Sequence, residues 1–200
     1  MNNLIFSTFL IITLIGVSCL SYVQSSVFKG KIEFSNKVFE KVWKGFNYES
    51  DSKRGFKDMK DRILKETNEY RAAHDAKPLT VDPALAQKAQ AYAEHLAKIE
   101  KMVHDPTNHK LFIGENLAVA SPSIAHIGVK KWYDEIEYYN FNKQGFLKAT
   151  AHFTQLIWKG SSKIGCGIGV GSTRVYTVCK YSPAGNLDNE YEKNVSPKKA

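Results

Sequence analysis

The chain has 200 residues, with 28 Lys plus Arg against 20 Asp plus Glu and a formal net charge of +8. That length suits one domain with a real core, and the charge favours acidic partners such as anionic membrane surfaces or sulfated glycans. Nucleic acid is set aside, because the basic residues are interleaved with acids and form neither an arm nor a reading motif.

Met1 to Val23 carries no charged side chain, and Leu4 to Val17 is almost continuously apolar. Small residues follow at Ser18, Cys19, Ser21 and Ser25. Residues 1–25 read as a secretory signal cleaved after Cys19, Ser21 or Ser25. The alternative is an uncleaved anchor, but the run is shorter than the ~20 apolar residues a spanning helix needs. The expected location is therefore secreted and extracellular.

Residues 26–51 read as an N-terminal extension. Phe39, Val42, Trp43 and Phe46 form an apolar stripe, with Lys37, Lys41 and Lys44 off it. Such a basic amphipathic helix can lie on an anionic membrane, or its stripe can pack on the domain that follows. That domain spans residues 52–195, and residues 196–200 form a short tail.

A helix is expected from about Phe56 to His74, burying Phe56, Met59, Ile63 and Tyr70. Asp82 caps a second helix, with Pro83 at its first position. Leu85, Ala89, Tyr92, Ala93 and Leu96 give it a clean stripe to about Lys101. Residues 102–114 read as loop. Ser121-Pro122 opens a third helix that ends near Tyr139, and another begins at His152 with Phe153, Leu156 and Ile157 on one face. A glycine-rich hairpin follows, from Ile164 to Tyr181. Helices dominate, with one compact sheet near the end: α+β by order of elements.

If Cys19 leaves with the signal, Cys166 and Cys179 are the two cysteines remaining, and an even pair in an oxidising compartment suggests a disulfide. A hairpin turning at Ser172-Thr173 sets the two directly opposite each other, within bridging distance. Asn194-Val195-Ser196 is a glycosylation sequon followed by Pro197.

Five stretches resemble one family in order. Asn68-Glu69-Tyr70-Arg71, Gly114-Glu115-Asn116-Leu117-Ala118, Trp132-Tyr133-Asp134-Glu135-Ile136, the segment Ala151 to Ser161 and the segment Tyr176 to Leu187 are similar to the landmarks of the CAP superfamily. That group comprises cysteine-rich secretory proteins, insect venom antigen 5 and plant pathogenesis-related proteins. The tail and the poverty in cysteine resemble its Golgi-associated plant pathogenesis-related branch, which normally lacks a signal. Ala151, Lys180 and Thr67 depart from the usual pattern; Asn, Gln, Arg, His or Ser is usual where Lys180 stands. None of the three removes a group the site needs.

The resemblance implies an α-β-α sandwich with a small antiparallel β-sheet of three strands between helices. It implies a cleft tetrad of His104, Glu115, Glu135 and His152. Two neutral imidazoles can share zinc or another divalent cation, while the carboxylates orient the rings; the alternative is that the pairs only tie loops to the sheet. No cofactor is required. Ser121, His104 and Glu115 are the right types for acyl transfer, yet Ser121 also fills an N-cap slot before Pro122. Asn68, Arg71, Tyr133 and Trp158 read as structural bridges. The resemblance further implies a lipid or sterol ligand and leaves a homodimer open. The leading reading is a secreted, non-enzymatic binding protein in host interaction, defence or venom-like secretion. The competing one is a metal- or serine-dependent hydrolase.

Overall fold

Residues 32–199 are described by a computed structural model. The proposed signal and residues 26–31 lie outside them. Two units divide the chain, Met1–Phe34 and Ser35–Ala200. Of the first, residues 32–34 are described and are helical. In the second, helix α1 runs over residues 35–43. Its stripe faces inward: Val38, Val42 and Trp43 are buried, Trp43 Nε1 donates to Glu66 at 2.7 Å, and Phe39 stacks on His126. The apolar face of the expected amphipathic helix is thus occupied within the domain's own compact unit.

Short helix α2 (Tyr48–Ser52) is capped by the Asn47 side chain and leads into α3, Lys57–Ala73. Phe56 turns the chain there at φ 58°, and Met59, Ile63 and Tyr70 are buried as the spacing predicts. Helix α4 (Pro83–Ile99) begins with Asp82 accepting from the Leu85 N–H at 2.9 Å. It ends two residues before Lys101, at Glu100 in the left-handed region. A one-turn helix α5 (Asn108–Leu111) punctuates the expected loop.

The sheet has four strands in the order β1-β3-β4-β2: β1 Thr80–Val81, β2 Gly114–Ala120, β3 Lys163–Val170 and β4 Val175–Ser182. The three long strands pair antiparallel; β1 adds a two-residue parallel edge beside β3, making the sheet mixed where a purely antiparallel one was expected. Cys166 faces Cys179 in register, and their sulfurs are bonded with Cα atoms 4.2 Å apart.

Alternation along the strands sets two faces. One packs on α4: Leu117, Tyr176 and Val178 form a core with Ala89, Ala93 and Leu96. Gly165, Gly167 and Gly169 let α4 approach, since a Cβ there would overlap the backbone of Ala86, Gln90 and Ala93. The other face is covered by α3, α6 (Gly128–Asp134) and α7 (Ala151–Ile157). The result is an α-β-α sandwich. Arg71 of α3 pins that layer, donating to the carbonyls of Lys77, Leu156, Trp158 and Ser161 at 2.9–3.1 Å. The expected third helix is broken into a 3₁₀ turn Pro122–Ile127, α6 and a second 3₁₀ turn Glu135–Tyr138. A last short helix, α8 (Tyr191–Asn194), closes the chain before its tail. No helix among the described residues is long and apolar enough to cross a membrane.

Candidate functional site

Strand β2 lies at the edge of the sheet, and two consecutive residues near its start address opposite faces. Glu115 shares the α4 face with Leu117; Asn116 faces the α7 layer, where its Nδ2 donates to the His152 carbonyl at 3.0 Å. Each side carries one half of the expected tetrad.

On the α4 side, His104 comes from the coil after α4. Its Nδ1 lies 2.7 Å from Glu115 Oε1, which also accepts from the Asp105 N–H at 3.1 Å. The other carboxylate oxygen, Oε2, accepts from Lys180 Nζ at 2.9 Å. Lys180 stands directly across from Glu115 in the β2–β4 register. The Lys180 side chain is only 1% exposed, and its ammonium also donates to Asp105 Oδ2 at 2.9 Å and Asn108 Oδ1 at 2.6 Å. It lies 5.0 Å from the centre of the Tyr92 ring, close enough for a cation–π contact. Burial alone would raise the Glu115 carboxyl, but the bonds from His104, Lys180 and Asn108 outweigh it and hold the group below the usual range. Asp105 behaves likewise: burial raises it, and Thr107 with Lys180 brings it below its ordinary value.

On the other side, His152 sits in the first turn of α7. Its Nδ1 is 2.6 Å from Glu135 Oε1. Glu135 Oε2 accepts from the backbone N–H groups of His152 and Phe153 at 3.0 and 3.1 Å, so this carboxylate caps α7 while it orients the ring. Trp132 stacks beside the imidazole with ring centres 6.3 Å apart, and its Nε1 donates to Leu117 O at 2.9 Å.

The tetrad is therefore two carboxylate–imidazole pairs flanking the edge strand. Among the described residues no three His, Cys, Asp or Glu side chains converge on a point that could hold a metal ion. What speaks for an ion is donor chemistry alone, one imidazole on each side of β2. Each Nδ1 is bonded to a carboxylate, which leaves the lone pair of the neutral ring on Nε2. His104 and His152 are the residues that would hold it, with water completing the shell.

Along β2 from the His152 pair runs a groove of about 250 Å³. Leu117, Val119, Ile127 and Trp132 wall it, Met102 and Lys131 stand at its margin, and Glu135 with His152 forms its end. Sequence reasoning placed no such pocket, because its walls are ordinary core and strand residues until the fold sets them along a free edge. Lys180, Asp105, Asn108 and Tyr92 were likewise missed as site residues. The signal available was the basic side chain at position 180, whose four partners come from α4, the coil after it, α5 and β2 and meet it only in the fold.

Two other expectations meet the structure differently. Ser121 lies just beyond the far end of β2, while Glu115 lies near its start; Ala120 is five strand steps from Glu115, about 17 Å. Its Oγ is 3.4 Å from Ser123 Oγ and forms no cap bond. Within one chain Ser121, His104 and Glu115 do not assemble for acyl transfer. Asn194 is buried; its Oδ1 accepts from the Gly160 N–H and its Nδ2 donates to Glu190 O, both at 2.8 Å. In this fold the Asn194 amide is a structural bridge from α8 to the Gly160 turn.

The family profile described as CAP, cysteine-rich secretory protein family, matches residues 64–181. The chain belongs to this family. It is 40% identical over 151 residues to the human Golgi-associated plant pathogenesis-related protein 1, covering 74% of this chain and 98% of that one. It is 34% identical over 158 residues to venom allergen 5 of Vespa magnifica, covering 66% and 70%. Among solved structures, NaASP2 with Zn²⁺ superposes with a TM-score of 0.54 at 22% identity, over 72% of this chain and 87% of that one. The last likeness concerns the fold alone.

Proposed function

We propose that this CAP domain is secreted and binds small apolar ligands, lipid or sterol, without catalysing a reaction. The apolar groove beside His152 carries this reading. It offers four hydrophobic walls at a sheet edge and a single cationic side chain, Lys131, at the margin. Burying an alkyl chain or ring system against such walls is favourable by roughly 25 cal/mol per Å² removed from water. The net charge of +8 supports a second contact, with anionic lipid head groups or sulfated glycans. The paired histidines supply the proposed divalent-ion cleft. A bound zinc would add a Lewis-acidic centre; the chain's own part is to fix both rings through Glu115 and Glu135.

The hydrolase alternative is less well supported. A serine route needs Ser121 beside the His104–Glu115 pair, and the length of β2 sets Ser121 far from Glu115 within one chain. Incubating the purified chain with labelled cholesterol, labelled palmitate and anionic liposomes tests the binding reading. Retention of at least one is expected; retention of none removes it.

A further inference from the structure

The two halves of the cleft have unequal charge. Glu135 meets His152 with its second oxygen on neutral backbone N–H groups. Glu115 meets His104 with its second oxygen on a buried ammonium. Lys180 cannot swing away into solvent: its side chain is 1% exposed, and three oxygens, from Asp105, Asn108 and Glu115, converge on Nζ at 2.6–2.9 Å. A fixed positive charge therefore sits one carboxylate away from the imidazole that would take a metal ion.

We infer that Lys180 is a positioning residue that, acting through Glu115, holds down the affinity of the His104 half of the cleft for divalent cations. Two effects act in the same direction. The ammonium draws on the Glu115 carboxylate, so that Glu115 lends less electron density to the His104 ring and makes its Nε2 a poorer ligand. It also repels a dication directly, a repulsion that solvent screens in part because the His104 side chain is 64% exposed. Replacing Lys180 by a neutral amide leaves Asp105 and Glu115 as two carboxylates beside His104, with hydrogen-bond donors in place of the charge. The inference rests on the proposed two-histidine ion site.

Zinc titration by calorimetry on the full chain, with Lys180→Gln, Lys180→Asn and Lys180→Arg, tests it. Thermal unfolding run alongside confirms that each variant is folded, and Asn serves if Gln does not fold. The neutral variants are expected to bind zinc about tenfold tighter than the parent, the effect of removing one nearby charge. Lys180→Arg, which keeps the charge, should match the parent, and adding His104→Ala should abolish the gain. Neutral variants that bind no tighter than a zinc-binding parent overturn the inference and leave the metal reading standing. A gain that survives His104→Ala also overturns it, because the ion would then occupy the oxygen cage vacated by Nζ. A silent parent with binding neutral variants upholds the inference and removes the metal reading for the native chain. Silence in every protein removes both.

Discussion

Glu66 is fully buried between Trp43 Nε1, which donates at 2.7 Å, and Tyr70 OH, which donates at 2.9 Å. Burial dominates and lifts its carboxyl from the usual 4.5 to about 7, although Trp43, Tyr70 and Lys130 favour the charged form. The folded chain thus keeps a proton that the unfolded chain releases near pH 4.5. This contribution to stability is complete below pH 4.5 and is lost as the pH rises to about 7. Its size is on the order of 3 kcal/mol. Urea unfolding should show the parent losing stability relative to Glu66→Gln across that interval; parallel curves would contradict the assignment. Glu66 ties α1 to α3, and nothing in the spacing of the sequence announced it, because a lone acid in a helix reads as a solvated position. Arg71 is the opposite case. Its place in the Asn-Glu-Tyr-Arg landmark marked it as a bridge, and four carbonyls now account for it. The cleft was half legible in the same way. His104, Glu115, Glu135 and His152 were named from motifs and do pair, but that each pair keeps to its own side of β2 follows from strand alternation, which requires the sheet.

Among the elements, the hairpin was the most readable. Gly165, Gly167 and Gly169 alternate with apolar residues, and a turn centred on Ser172-Thr173 sets Cys166 against Cys179. The bridge closes a short loop, with a sequence separation of 13 residues. Restricting such a loop in the unfolded chain stabilises the fold by about 3 kcal/mol in the chain-entropy view. Cys166→Ser with Cys179→Ser should lower the unfolding temperature by several degrees; an unchanged transition would show that the bridge adds nothing. Strand β1 was not readable, since two residues cannot display a period of two. The segment from Ser121 to Tyr139 was misread as one helix for a physical reason. Gly128 lies where a Cβ would press on the Ala118 Cβ at 3.0 Å, and Ile124 departs from helical geometry at φ −124°. The chain is bent there to bring α6 onto β2, and local apolar spacing carries no record of that bend.

At the scale of the whole molecule, three layers leave one long strand, β2, at an edge, and everything proposed for this protein is arranged along it. The histidine pairs stand near its start. The apolar groove runs along its remaining length, with Lys131 the basic residue at its margin. The most direct measurement is the affinity of the purified chain for cholesterol and palmitate, set against Ala120→Trp, which places an indole in the groove mouth and spares both histidine pairs. Binding by the parent and at least tenfold weaker binding by the variant is the predicted result. Equal binding by both, or none by either, would contradict the account.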